Sequence, residues 1–189
     1  MKIIVGCAII NDMKLKIKRL SDKVQLPKYA HDGDACFDLC VFMDEEFLPM
    51  MVVDGKFLTF GEGDFSGKCD SSYSNVHVGI SPNQTVVFHT GLKFETDKGY
   101  NMKVHVRSST GIKKHLILSN CTGVIDTATY RGEVLIALTN IGDDIADISN
   151  GERVAQAEIV KTLDVEIEEV SELSDTVRGE GGFGSTGGH

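Results

Sequence analysis

Polar and apolar residues alternate along KLKIKRL at 14–20, which predicts a half-buried strand with one wet face. The run MKIIVGCAII before it predicts a buried strand, and FDLCVF at 37–42 predicts another, delivered by a loop in which Pro27, Gly33 and three aspartates break any period. From Gln84 onward, TVVFHTGLKFET, YNMKVHVRSS and KKHLILSN are strand-length runs separated by a glycine or a charged turn. RSSTG at 107–111 predicts a turn rich in hydroxyls and N–H donors. HLIL enters and VLIAL leaves the stretch NCTGVIDTATYRGE at 120–133, so this stretch predicts two strands joined by a short turn that carries Asp126 and Tyr130. Its apolar surroundings predict a partly dry place for Asp126, where a carboxylate serves as a base; a turn-forming role is the alternative. Beyond it, strands are predicted from Arg153 to Val160 and, with acidic alternation, from Leu163 to Val170. A helical turn is expected only at SELSD.

Residues from about Asp44 to Ser81 are the least periodic part, with Gly55, Gly61, Gly63 and Gly67 spread among short apolar pieces such as MMVV and KFLTF; they predict one or two small hairpins with a mobile tip. Strands recurring at roughly ten-residue spacing suit a jelly roll or barrel. With 189 residues the chain is long enough for one domain and does not demand two.

Composition narrows the function classes. A formal charge of −9 without a basic tract argues against nucleic-acid binding. No apolar run approaches the length of a membrane span and the first residues lack a secretory pattern, so no membrane partner and a cytoplasmic setting, in a bacterial or virus-infected host cell, are expected. The five cysteines form no CxxC pair, and Cys69 with His77 lacks the second pair a metal site needs. An anionic ligand would have to be met locally, by Arg107, Arg131, Arg153 or Arg178. The tail RGEGGFGSTGGH has two readings: a frayed terminus, or a lid whose backbone N–H groups wrap phosphate oxygens.

Five segments, PKYAHDGDACFDL, RSSTGIK, NCTGVIDTATYRGE, GERVAQ and RGEGGFGSTG, occur in the order of the motifs of the trimeric dUTP pyrophosphatases, and together they resemble that family from Pro27 to Gly187. The resemblance implies an all-β, jelly-roll-like (β-clip) homotrimer that exchanges its C-terminal arm between subunits: one β domain over 1–177 with an insertion at about 45–80, and a glycine-rich lid over 178–189. It implies hydrolysis of dUTP to dUMP and pyrophosphate, with Asp126 as the base for the attacking water. Asn120 and backbone atoms near Val124, Ile125 and Leu135 would read uracil, Tyr130 would pack on the deoxyribose, and Phe183 would close over the base. Arg107, Ser108, Ser109, Gln156, Arg178, Gly182, Ser185 and Thr186 would hold the phosphates. Mg2+, carried mainly by the triphosphate, would be held by Asp38 through water. Arg131 and Arg153 are as well suited to structural or subunit-contact roles.

Two departures stand out. Three residues, Thr127, Ala128 and Thr129, separate Asp126 from Tyr130, where the family usually has two; a β-bulge is expected to absorb the extra one. The insertion at about 45–80 is not covered by the resemblance, and a protein partner for it is left open. The rival activities are a dCTP deaminase of the same fold and a dUTP-responsive regulatory protein using the insertion.

Overall fold

The computed structural model describes residues 13–61, 73 and 75–182. The buried strand expected at MKIIVGCAII, the cysteine at 69, and the lid residues Phe183, Ser185 and Thr186 lie outside the described residues. Thirteen strands and one short helix form the rest, in four antiparallel sheets, so the expected all-β class holds.

Side chains along the strands alternate between core and surface, the pattern an antiparallel sheet with one solvated face imposes. In the four-stranded sheet the order is β10 (Gly123–Ile125), β8 (Tyr100–Val106), β13 (Arg153–Lys161), β2 (Phe37–Cys40). Phe37 and Leu39 point in while Asp38 and Cys40 point out. The five-stranded sheet runs β4 (Lys56–Thr59), β3 (Met50–Val53), β6 (Thr85–His89), β11 (Leu135–Asn140), β9 (Leu116–Leu118). Two small ladders complete the fold: β1 (Lys16–Arg19) on β7 (Leu92–Glu95), and β5 (His77–Ile80) on β12 (Ala146–Ser149). Leu39, Phe88, Met102, Leu116, Leu138 and Ile148 are fully buried in one continuous apolar cluster. Each contributes roughly 1.5–3 kcal/mol relative to exposure.

The weakly periodic segment does form a hairpin. Asp54 and Gly55 take φ of 48° and 73°, the left-handed pair a two-residue type I′ turn requires, and join β3 to β4. That hairpin is no separate appendage, since β3 also pairs with β6.

Four expectations are corrected. HLIL and VLIAL pair as β9 and β11, but no short turn joins them: residues 119–134 make a long excursion in which β10 crosses to pair with β8 in the other sheet. RSSTG opens the helix α1 (Ser108–Lys114) rather than a turn. Arg107 provides its extended N-cap, Lys113 and Lys114 complement its C-terminal end, and His115 ends it in the left-handed region. SELSD is not helical. Finally, 163–170 forms no strand. Alternation supplies an apolar face but not a neighbouring ladder, and past Lys161 this chain leaves the segment exposed, Ile167 to 96%.

Candidate functional site

The predicted site residues fall into two patches at opposite ends of β8. The first lies at its C-terminal end. Arg107 follows Val106 directly, and Gln156 of β13 stands between Asp38 of β2 and His105 of β8 in one cross-strand row. Asp38 accepts from both flanking cations: Arg107 Nε lies 2.8 Å from Oδ1 and Arg153 Nη1 3.0 Å from Oδ2. Arg107 Nη1 also donates to the Arg153 carbonyl at 3.3 Å. Two guanidinium groups held on one carboxylate make a rigid site with surplus positive charge, suited to a polyanion. Ser108 and Ser109 begin α1 beside it, both exposed. Burial, with the charge of Asp38 adding to it, pushes the Cys40 thiol above its ordinary value, so this neighbour is a poor nucleophile at neutral pH.

The sequence marked Arg153 as one of four cations that could meet an anion, but not its pairing with Asp38 beside Arg107. Its position at the start of β13, on the side of the sheet shared with Gln156 and Asp38, is the signal that could have found it.

The second patch is the excursion at 119–134. Asn120, Val124, Asp126, Tyr130 and Leu135 are all exposed, and Ile125 is half-buried. The dry setting expected for Asp126 is therefore absent from the single chain: β10 is an edge strand, and nothing in the described chain covers its end. The expected β-bulge is also replaced. The Asp126 carbonyl accepts from both Thr129 N–H at 2.8 Å and Tyr130 N–H at 2.7 Å, so the additional residue is taken up in one tight turn.

That turn is anchored on three sides. Thr127 is fully buried, its hydroxyl 2.8 Å from that of Thr96 and its carbonyl accepting from Thr96 N–H at 3.2 Å. Arg131 donates to the carbonyls of Thr127, Ala128 and Tyr130 at 3.0, 3.1 and 2.9 Å, which gives it a structural role in the loop. Glu133 accepts from Thr90 N–H at 3.1 Å and Gly91 N–H at 2.7 Å through Oε1, and its Oε2 lies 2.9 Å from His89 Nδ1. The loop is exposed where Asp126 and Tyr130 project and fixed where it meets the sheets.

The patches do not meet within one chain. The β10–β8 ladder ends at Ile125↔Met102, so Asp126 emerges near the start of β8, and five extended residues, about 17 Å, separate Met102 from Arg107. A groove of about 1100 Å³ borders the first patch, lined by Asp38, Arg153, Tyr29 and Phe42 among others, and it includes no residue of 120–135. Arg178 lies in the exposed arm, where its Nε donates to the Gly181 carbonyl at 2.8 Å; Gly182 is exposed beside it. Among the described residues no three His, Cys, Asp or Glu side chains converge to hold a metal, and no helix is long and apolar enough to cross a membrane.

Comparison with known proteins places this geometry. The dUTPase family model matches residues 72–187. The deoxyuridine 5'-triphosphate nucleotidohydrolase of Alkaliphilus metalliredigens is 36% identical over 173 residues, covering 92% of this chain and 96% of that protein. That of Nautilia profundicola is 35% identical over 175 residues, covering 93% and 99%. Among solved structures, the Staphylococcus bacteriophage 80alpha dUTPase with dUPNHPP has the same fold, at a TM-score of 0.68 and 24% identity over 92% of this chain and 98% of that one. The phage phi11 dUTPase, described for its species-specific insert, aligns with a TM-score of 0.62 at 20% identity, covering 86% of this chain and 99% of that one. The family model and these relatives together show that this chain is a member of the dUTPase family.

Proposed function

We propose that the protein hydrolyses dUTP to dUMP and pyrophosphate at sites assembled from several copies in a homotrimer. The observation that carries the reading is the pairing of an Asp126 carboxylate and a Tyr130 ring on one anchored loop, in a chain whose relatives are named for this reaction. Uracil lies along the outer edge of β10, the edge strand that carries Val124 and Ile125, with Leu135 and the Asn120 amide beside it. Cytosine presents the opposite donor and acceptor at its polar edge and leaves groups unpaired, which is the discrimination polar readout provides. Tyr130 covers the deoxyribose face and leaves no space for a 2′-hydroxyl.

Asp126 accepts the proton of a water as its oxygen attacks the α-phosphorus. The bond to the bridging oxygen breaks and the electron pair leaves on pyrophosphate. The phosphates are gripped by Arg107, Ser108, Ser109 and Gln156, and by Arg178, Gly182, Ser185 and Thr186 as the arm closes with Phe183 over the base.

The donor set fits magnesium on one condition. A lone carboxylate is no cage, but Mg2+ binds nucleotides with few protein ligands and several waters, so Asp38 would serve as an outer contact provided that the phosphates draw Arg107 and Arg153 off its two oxygens. Bound there, the ion offsets charge on the phosphate oxygens.

Asp126 and Arg107 stand at opposite ends of β8, and the groove beside Asp38 and Arg153 includes no residue of 120–135, which supports a site whose two patches come from different copies. Union with a second copy also supplies the cover over Asp126 and the ladder that the 163–170 segment lacks.

Pyrophosphate release from dUTP, dCTP, dTTP and UTP with magnesium tests the reading. Release from dUTP far above the other three is expected, while ammonia release from dCTP would replace the assignment with a deaminase.

A further inference from the structure

The ring of Tyr130 is held by a neighbour that has no side chain. A Cβ built on Gly132 would stand 2.8 Å from Tyr130 Cε2 and closer still to Cζ and Oη, so the phenol occupies the space a side chain at 132 would take. Gly132 is not in the left-handed region, so an alanine suits its backbone; the only obstacle named there is the tyrosine. The backbone N–H of Tyr130 donates to the Asp126 carbonyl at 2.7 Å, and its hydroxyl donates to the Glu133 carbonyl at 3.1 Å in an exposed bond. The hydroxyl is thereby engaged in the loop, and what the residue offers outward is the face of the ring, 46% of its surface being exposed.

We infer that Gly132 is the residue that sets deoxyribose selection, by giving the Tyr130 ring its seat. The inference rests on the reading of Tyr130 as the sugar platform. A ring whose hydroxyl end is seated against Gly132 keeps a fixed position beneath the sugar, and that position is what excludes a 2′-hydroxyl. A methyl group at 132 displaces the ring, because Tyr130 is exposed and can swing while the buried anchors of the loop, Thr127 and Glu133, cannot. Displacement opens a gap under the sugar: stacking on deoxyribose is lost and the extra hydroxyl of a ribonucleotide is accommodated. Gly132 itself touches no substrate and acts through Tyr130 as a positioning residue.

The test is kcat/KM for pyrophosphate release from dUTP and from UTP, the latter followed at enzyme excess, for Gly132→Ala in the wild-type and Tyr130→Ala backgrounds. In the wild-type background, Gly132→Ala should lower dUTP kcat/KM about tenfold, mainly through KM, and narrow the dUTP-over-UTP ratio by about tenfold. In the Tyr130→Ala background, with the clashing ring gone, the same substitution should change neither quantity by more than about twofold. A folded Gly132→Ala protein with the wild-type ratio overturns the inference, as does an equal loss in both backgrounds. If Tyr130→Ala alone preserves the ratio, the sugar platform itself falls and the inference with it. Should Gly132→Ala fail to fold, recovery of folding on adding Tyr130→Ala supports the seat, and no recovery overturns it.

Discussion

Glu133 fixes the Asp126 loop to the body of the protein, and the cost of losing it is readable from its partners. One oxygen holds the N–H groups of Thr90 and Gly91, the other faces His89 Nδ1, and both side chains of that pair are largely buried. Removing the carboxylate leaves three polar groups without partners. Glu133→Ala should therefore cost about 2–3 kcal/mol. That is a fall in melting temperature of roughly 4–12 °C, compared at equal protein concentration. Glu133→Gln, which keeps one acceptor oxygen, should lose less. A wild-type melting curve for the alanine variant would remove Glu133 as an anchor. Neither this role nor that of Thr127 was legible in the sequence, because their partners lie 42 and 31 residues away and nothing in the local pattern marks them. The placement of Asp126 and Tyr130 together on one loop was legible, because both lie within the single motif at 120–133. The dryness expected around Asp126 was read from neighbours that proved to face a different sheet.

Strands were legible in several segments that find a partner within the same chain, as β1, β2, β6, β7 and β8 do. β12, which pairs with β5, was not predicted, and two further elements departed from their local pattern. The helix α1 follows from the extended N-cap at Arg107 and a left-handed stop at His115, which override the weak helix preference of Ser, Thr and Gly. The arm at 162–182 carries strand alternation yet stands exposed, because a ladder needs an edge that the described chain does not offer it. Its exposure makes a direct prediction. Deleting the chain from Arg178 removes no residue of the apolar core among the described residues, so the truncated protein should keep the wild-type melting temperature to within about 2 °C and the wild-type oligomeric state. Turnover of dUTP should fall by about a hundredfold or more, as the phosphates lose Arg178 and the closing glycine backbone. Full activity in the truncated protein would return the tail to the status of a frayed terminus.

The division of the site between the two ends of β8 has a consequence that only mixed assemblies reveal. Asp126 emerges beside Met102, about 17 Å of strand from Arg107, and on the proposed reading each reaction centre takes Asp126 from one copy and Arg107 from another. Asp126→Asn should abolish pyrophosphate release while leaving dUTP binding, since the amide keeps the loop and loses only the base. Arg107→Ala should abolish release by loosening the grip on the triphosphate and freeing one oxygen of Asp38. Each variant alone is then inactive. Co-expressed in equal amounts, they assemble at random, and a site is intact whenever the copy giving Asp126 is the Arg107 variant and the copy giving Arg107 is the Asp126 variant. Each condition is met half the time, so about a quarter of the wild-type activity should return. A site built within one chain would give none, whatever the mixture. Titrating the ratio of the two variants sharpens the test, because recovered activity should peak at equal amounts and fall symmetrically on either side.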